Sequence, residues 1–197
     1  EEIKSNVSSS AEKIDTLKTT LADTFSTMSR NIDTSVQNAE ASLARIKNEC
    51  DQALEKAEEI QPDVILCIGQ AGGRSAVTPE RIGVNIRDAK IADNAGNQPV
   101  GQFVAEGGPA AYFATVPVLA MEAAIREASL PGQVSNSAGA FVCNDTLYRL
   151  LAHFSGTGTR VGFVHVPHLP DQAKNGGPSM ELDAIIAALT AAIGVLG

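Results

Sequence analysis

Asp63 to Gly69 reads DVILCIG, an apolar run closed by glycine, and Val161 to Val166 reads VGFVHV, a second run stopped by Pro167. Short runs without polar alternation predict strands buried on both faces, because a strand with one wet face alternates polar and apolar residues. Around them, residues 110–128, 144–154 and 180–196 read as helices, and Gln133–Ser135 reads as a short strand. Strand and helix alternating in this way predict an α/β fold, a three-layer α/β/α domain with a mostly parallel mixed sheet. In such sheets sites gather where the loops converge at the strand ends.

Upstream the character changes. Residues 1–61 contain neither glycine nor proline, and all 17 glycines and 9 prolines of the 197-residue chain lie beyond them. Ile14, Leu17, Leu21, Phe25, Met28, Ile32, Val36, Ala39, Leu43, Ile46, Cys50, Leu54 and Ala57 recur in steps of three and four, the spacing of one helix face. The chain is therefore divided into a long amphipathic N-terminal helical, coiled-coil-like segment, 1–60, and an α/β domain, 61–197. A narrow apolar seam is not stable on a solvated helix. It either covers the following domain or pairs with another copy in a homo-oligomer.

Composition bounds the function. The net charge of -8 gives no basic face for nucleic acid or an anionic membrane, so neither is expected as a partner. No apolar run reaches the 18 or so residues of a membrane span, and no signal peptide is evident; the expected location is the cytoplasm. Cysteines stand at 50, 67 and 143, without zinc-ligand or redox spacing, which suits individual thiols in a reducing compartment. No cofactor or metal is expected.

Cys143 follows the small-residue run from Ser135 to Gly139 and precedes a helical stretch at Asn144. A helix N-terminus favours a thiolate through its dipole and offers N–H donors to an oxyanion; the same residue also suits simple packing. His165 at the end of VGFVHV is placed to serve as a base, with His153 and His168 as competitors that spacing alone does not separate. Glu80, after Thr78 and Pro79, reads on its own as a helix-start carboxylate. Cys67 in mid-strand and Cys50 on the stripe read as inert core thiols. Gly69, Gly72 and Gly73 before Arg74 lack the lysine and hydroxyl of a phosphate loop and read as a turn.

Five segments together resemble the pyroglutamyl peptidase I family of cysteine peptidases: QPDVILCIGQAGGR (61–74), PERIGVNIRDAKIADNAGNQPV (79–100), GGPAAYFATVPV (107–118), SNSAGAFVCN (135–144) and GFVHVPHLPDQ (162–172). The resemblance covers residues 45–197. It implies a triad of Cys143, His165 and Glu80, and it selects His165 over His168. The activity it implies is that of an omega peptidase, with peptides carrying an N-terminal pyroglutamate as partners and a shape-selective, largely apolar pocket to which Gln70, Asn136 and Phe141 would contribute. Where the family carries arginine and proline this chain has Lys90 and Ala92. Lys90 keeps a cation for an oxyanion or supporting role but lacks the planar fork of arginine. The family's opening strand and its TGFEPFGG-like loop have no counterpart in residues 1–44. A competing reading is a catalytically impaired scaffold that assembles through the N-terminal helix; another is a different acyl transfer on the same three residues.

Overall fold

The computed structural model describes residues 18, 20, 23–24, 26–28, 30–31, 34, 51–52, 54–89, 98–173 and 176–197. The chain divides into two compact units, residues 1–45 with 92–98, and residues 46–91 with 99–197. The described residues of the first unit between 18 and 34 are helical and exposed, Met28 among them. The rest of the apolar stripe up to Cys50 lies outside the described residues, as does Lys90.

The second unit is built on the two runs that opened the sequence. Strand β1 (Val64–Gln70) pairs in parallel with β5 (Arg160–Val166) over seven residue pairs, from Val64 opposite Arg160 to Gln70 opposite Val166. Strand β2 (Thr78–Pro79) joins the other edge of β5 antiparallel, Thr78 facing His165 and Pro79 facing Val164. The resulting mixed sheet has the order β1-β5-β2. A separate hairpin-like pair joins β3 (Ile82–Val84) to β4 (Ala111–Phe113).

Alternation along β5 sorts two apolar clusters, since successive strand side chains point to opposite faces. Val164 packs with Met121 and Ile125 of helix α1 (Val118–Glu127) and with Ile185, Ala188 and Ala192 of helix α3 (Leu182–Gly194). Val161 and Phe163 pack with Leu147, Leu150 and Leu151 of helix α2 (Val142–His153). His165 has the parity of Phe163 and so faces α2. The packing is α/β, with helices against both faces of the strands.

Two local readings are corrected. Residues 110–128 are not one helix: Ala111–Phe113 form β4, and α1 begins only after its N-cap Pro117. Tyr112 and Phe113 favour a pleated surface, and the fixed φ of Pro117 suits a helix start rather than its interior. Gln133–Ser135 is not a regular strand: Ser135 makes an isolated bridge to Glu80, and the preceding Gly132 makes another to Val77.

Candidate active site

Cys143 occupies the second position of α2, directly after the N-cap residue Phe141 and Val142. The first N–H groups of a helix have no intrahelical acceptor, so they stand beside the thiol as donors. What lies under the sulfur explains a glycine. A Cβ on Gly69 would stand 3.2 Å from Cys143 Sγ and 2.8 Å from Phe163 Cζ, so only the bare backbone of β1 leaves room for the thiol. Gly69 is the register partner of His165. The parallel pairing of β1 with β5 thus sets nucleophile and imidazole side by side. The turn before Phe141 needs a second glycine, Gly139, at φ +84°, in the region that L side chains avoid.

The imidazole is held from behind. His165 Nδ1 and Glu80 Oε1 are 2.7 Å apart, and both side chains are buried, at 4% and 0% exposure. Glu80 is not a helix-start residue. Its N–H donates to the Phe163 carbonyl at 2.8 Å immediately past β2, and its carboxylate is sealed between β5 and the Ser135 bridge. A lone buried carboxylate is unstable, and this one is compensated. Burial pushes its pKa up, but its contacts with His165, Ser135 and Arg74, with the charge of Arg74, outweigh that and hold it below the ordinary range. Arg74 Nη1 lies 2.6 Å from Glu80 Oε1. For His165, burial pushes the pKa down, whereas hydrogen bonds and charges from Cys143 and Glu80 more than offset it and leave it above the ordinary value. Cys143, His165 and Glu80 therefore form one electrostatically coupled unit.

The competing histidines stand elsewhere. His153 closes the far end of α2 and pairs with Glu58 at 2.8 Å. The His168 ring packs on Gly72, where a Cβ would meet it at 2.6 Å. Of the residues expected to line a substrate pocket, Gln70 ends β1 beyond Gly69 and donates through Nε2 to Gln172 Oε1 at 2.5 Å. Phe141 is half-buried at the head of α2, and its carbonyl accepts the Asp145 N–H at 2.8 Å. Asn136 is exposed and lines a cavity of about 530 Å³ with Arg74 and Ser135. Cys67 packs into the α2 cluster.

Three supporting residues escaped the sequence reading. Asn144 is fully buried: its Oδ1 accepts the Val84 N–H at 2.8 Å, and its Nδ2 donates to the Val84 carbonyl at 2.8 Å and the Ile86 carbonyl at 3.1 Å. It pins the turn that carries Cys143 to β3. Asp145, equally buried, takes Arg87 Nε at 2.6 Å and is approached by Arg149 Nε at 3.1 Å. Arg74 clamps Glu80. The only signal for the first two was their position directly after the cysteine; for Arg74 it was the cation ending GQAGGR.

Fold and site define the class: an α/β protein with a Cys–His–Glu constellation at the C-terminal end of two parallel strands, the thiol at a helix N-terminus. Comparison with known proteins narrows this to a family. The family model for pyroglutamyl peptidase matches residues 4–197, and the chain belongs to the pyroglutamyl peptidase family. The match extends upstream of the segments that carry recognisable motifs. Among curated relatives, the pyrrolidone-carboxylate peptidase of Erwinia tasmaniensis is 47% identical over 140 residues, 70% of this chain and 66% of the relative. That of Vibrio campbellii is 45% identical, over 71% and 66%. The chain thus spans just under two thirds of the length of these relatives. Similar solved structures include pyroglutamyl peptidase I from Bacillus amyloliquefaciens, 42% identical with a TM-score of 0.69 over 73% of this chain and 70% of that one. Another is the pyrrolidone carboxyl peptidase from Thermococcus litoralis, 38% identical with a TM-score of 0.71 over 76% and 72%.

Proposed function

We propose that this chain is a cysteine-type omega peptidase that hydrolyses the bond following an N-terminal pyroglutamyl residue. The observation that carries this is the buried Glu80–His165 contact at 2.7 Å facing a thiol coupled to the same imidazole; the names of the curated relatives support the substrate. His165 takes the Cys143 proton, while Glu80, on Nδ1, keeps the other ring nitrogen turned to the sulfur and stabilises the imidazolium. The thiolate attacks the pyroglutamyl carbonyl, and N–H groups at the start of α2 receive the developing oxyanion. As the tetrahedral intermediate collapses, the C–N bond breaks and His165 gives its proton to the leaving amine. Water, deprotonated by His165, then attacks the thioester and releases pyroglutamate and the thiol. No step requires a metal or cofactor.

Gln70, Asn136 and Phe141 are proposed to face the lactam and its following residue, with Lys90 as the supporting cation. The three-layer α/β/α arrangement, the N-terminal segment 1–60 as a distinct amphipathic helical element, and a homo-oligomer formed through it complete the proposal. The exposed Met28 supports an apolar partner for that segment. Turnover of a pyroglutamyl amide bearing a fluorescent leaving group tests the activity. The parent chain is expected to release the fluorophore and Cys143→Ala to lose turnover; a parent chain without turnover, or a Cys143→Ala chain that retains it, overturns the proposal.

A further inference from the structure

Arg74 is placed unlike any other cation among the described residues. Its Nη1 reaches Glu80 Oε1 at 2.6 Å and also contacts Thr78 Oγ1, while Nη2 donates to the Ser137 carbonyl at 3.0 Å. Thr78 is the β2 residue directly opposite His165, and its hydroxyl lies 3.3 Å from the His165 carbonyl. Ser137 sits in the turn that leads into α2, where its hydroxyl accepts the Gly139 N–H at 3.2 Å and its carbonyl accepts the Ser135 hydroxyl at 3.1 Å. One guanidinium therefore joins the acid, the strand that flanks the base and the turn that leads to the nucleophile.

We propose that Arg74 is a positioning residue for the triad, its fork fixing the Glu80 carboxylate against His165 and tying it to the turn before Cys143. The inference deepens the reading of the site as a cysteine peptidase and rests on it for the substrate, although not for the geometry. Two features support a role beyond filling space. The carboxylate of Glu80 offers one oxygen, Oε1, to both His165 and Arg74, so the two cation-capable groups hold that oxygen between them. A planar, five-donor group meets three acceptors, Thr78 and Glu80 in one segment and Ser137 in another, which a lysine does not. The side chain is also reachable: it is 25% exposed and lines the cavity of about 530 Å³ with Ser75, Gln133 and Asn136, so a small cation can enter where it is removed.

The test compares the parent chain with Arg74→Ala and Arg74→Lys, in two readouts. In turnover of a pyroglutamyl amide, Arg74→Ala is expected to lower kcat about 10- to 100-fold with KM within about threefold, the scale of a misplaced reacting group. Millimolar guanidinium is expected to restore much of that loss. Arg74→Lys is expected to fall between and to gain nothing from guanidinium. The second readout needs no substrate. The pH profile of iodoacetamide alkylation of Cys143 should differ between the parent chain and Arg74→Ala, with slower alkylation near neutral pH in the variant, where the base that takes the thiol proton is less well held. Should Arg74→Ala not fold, Arg74→Lys decides on the same two readouts. Coincidence of the folded variant with the parent in both overturns the proposal, as does a fall in kcat with an unchanged alkylation profile and no guanidinium rescue. A parent chain that leaves the amide intact, while its alkylation profile still depends on Arg74, sinks the peptidase reading and leaves the positioning role standing.

Discussion

His165 Nδ1 meets Glu80 Oε1 at 2.7 Å across 85 residues of sequence, with neither side chain reached by solvent to more than 4%. The contact supports the roles proposed for the two residues. A neutral imidazole whose Nδ1 proton is given to Glu80 presents a bare nitrogen at its other edge, and that nitrogen is the one that can accept the thiol proton.

Replacement of that carboxylate tests the tautomer directly. Glu80→Gln keeps the shape and removes the charge, and an amide there can hold the ring in the wrong tautomer. The expected loss in kcat is up to about 10⁴-fold, the scale of the carboxylate-to-amide change in the Ser-His-Asp triad, with KM and the far-ultraviolet spectrum little changed. Steady-state kinetics with a pyroglutamyl amide, beside circular dichroism, checks it.

The two shifted groups also fix a pH window of stability. His165, raised above its ordinary 6.5, adds stability that is complete below that value and is lost as the pH rises through its folded-state pKa. Glu80, lowered from 4.5, adds stability that is complete above that value and is lost as the pH falls through its folded-state pKa. Their joint contribution is therefore greatest between those two ordinary values. Urea unfolding of the parent and of Glu80→Gln across that range should show their largest difference inside the window and a shrinking one on either side.

The bare backbone at Gly69 makes a steric prediction. In Gly69→Ala the new methyl meets Phe163 Cζ at 2.8 Å and Cys143 Sγ at 3.2 Å, so the ring and the sulfur must shift. Overpacking of this size costs about 1–3 kcal/mol. The loss in kcat should exceed what that destabilisation explains, because the sulfur moves relative to His165. Thermal unfolding and kcat measured on the same variant separate the two.

Asn144→Ala should fail in stability. Its amide serves three backbone groups, the Val84 N–H, the Val84 carbonyl and the Ile86 carbonyl; the Val84 carbonyl keeps the Ile86 N–H at 2.9 Å and Ile86 is exposed, so the main cost, about 1–3 kcal/mol, falls on the unpaired Val84 N–H. A loss of about 2–3 kcal/mol is expected from denaturant unfolding. Tyr148→Phe, which removes a single 2.7 Å bond to the Pro109 carbonyl, should cost only about 1 kcal/mol.

The parts that the sequence shows plainly are those whose signal is local. DVILCIG and VGFVHV are long apolar runs, and they pair in register over their whole length. β4 was hidden because three strand residues sit beside a helical stretch, where the apolar spacing of Ala110 to Ala128 mimics one helix. In sequence Glu80 resembles a helix-start carboxylate because a two-residue strand has no periodicity. Its burial is created by Arg74, His165 and Ser135, each of which becomes a neighbour only on folding. The residues alone likewise leave three histidines open. Register separates them: Gly69 faces His165, and Gly69 is where the thiol rests. Arg74 and Asn144 act through contacts with distant backbone, which no spacing rule reports.

Cys143 is the proposed nucleophile for a pyroglutamyl group. Reaction of the chain with an activated pyroglutamyl ester, acid quenching within the first turnover and peptide mapping by mass spectrometry measures it most directly. A pyroglutamyl thioester is expected on the peptide that carries Cys143, accumulating in the parent chain and missing from Cys143→Ala. Turnover in which the acyl group is found on another residue, or proceeds unchanged in Cys143→Ala, would contradict it.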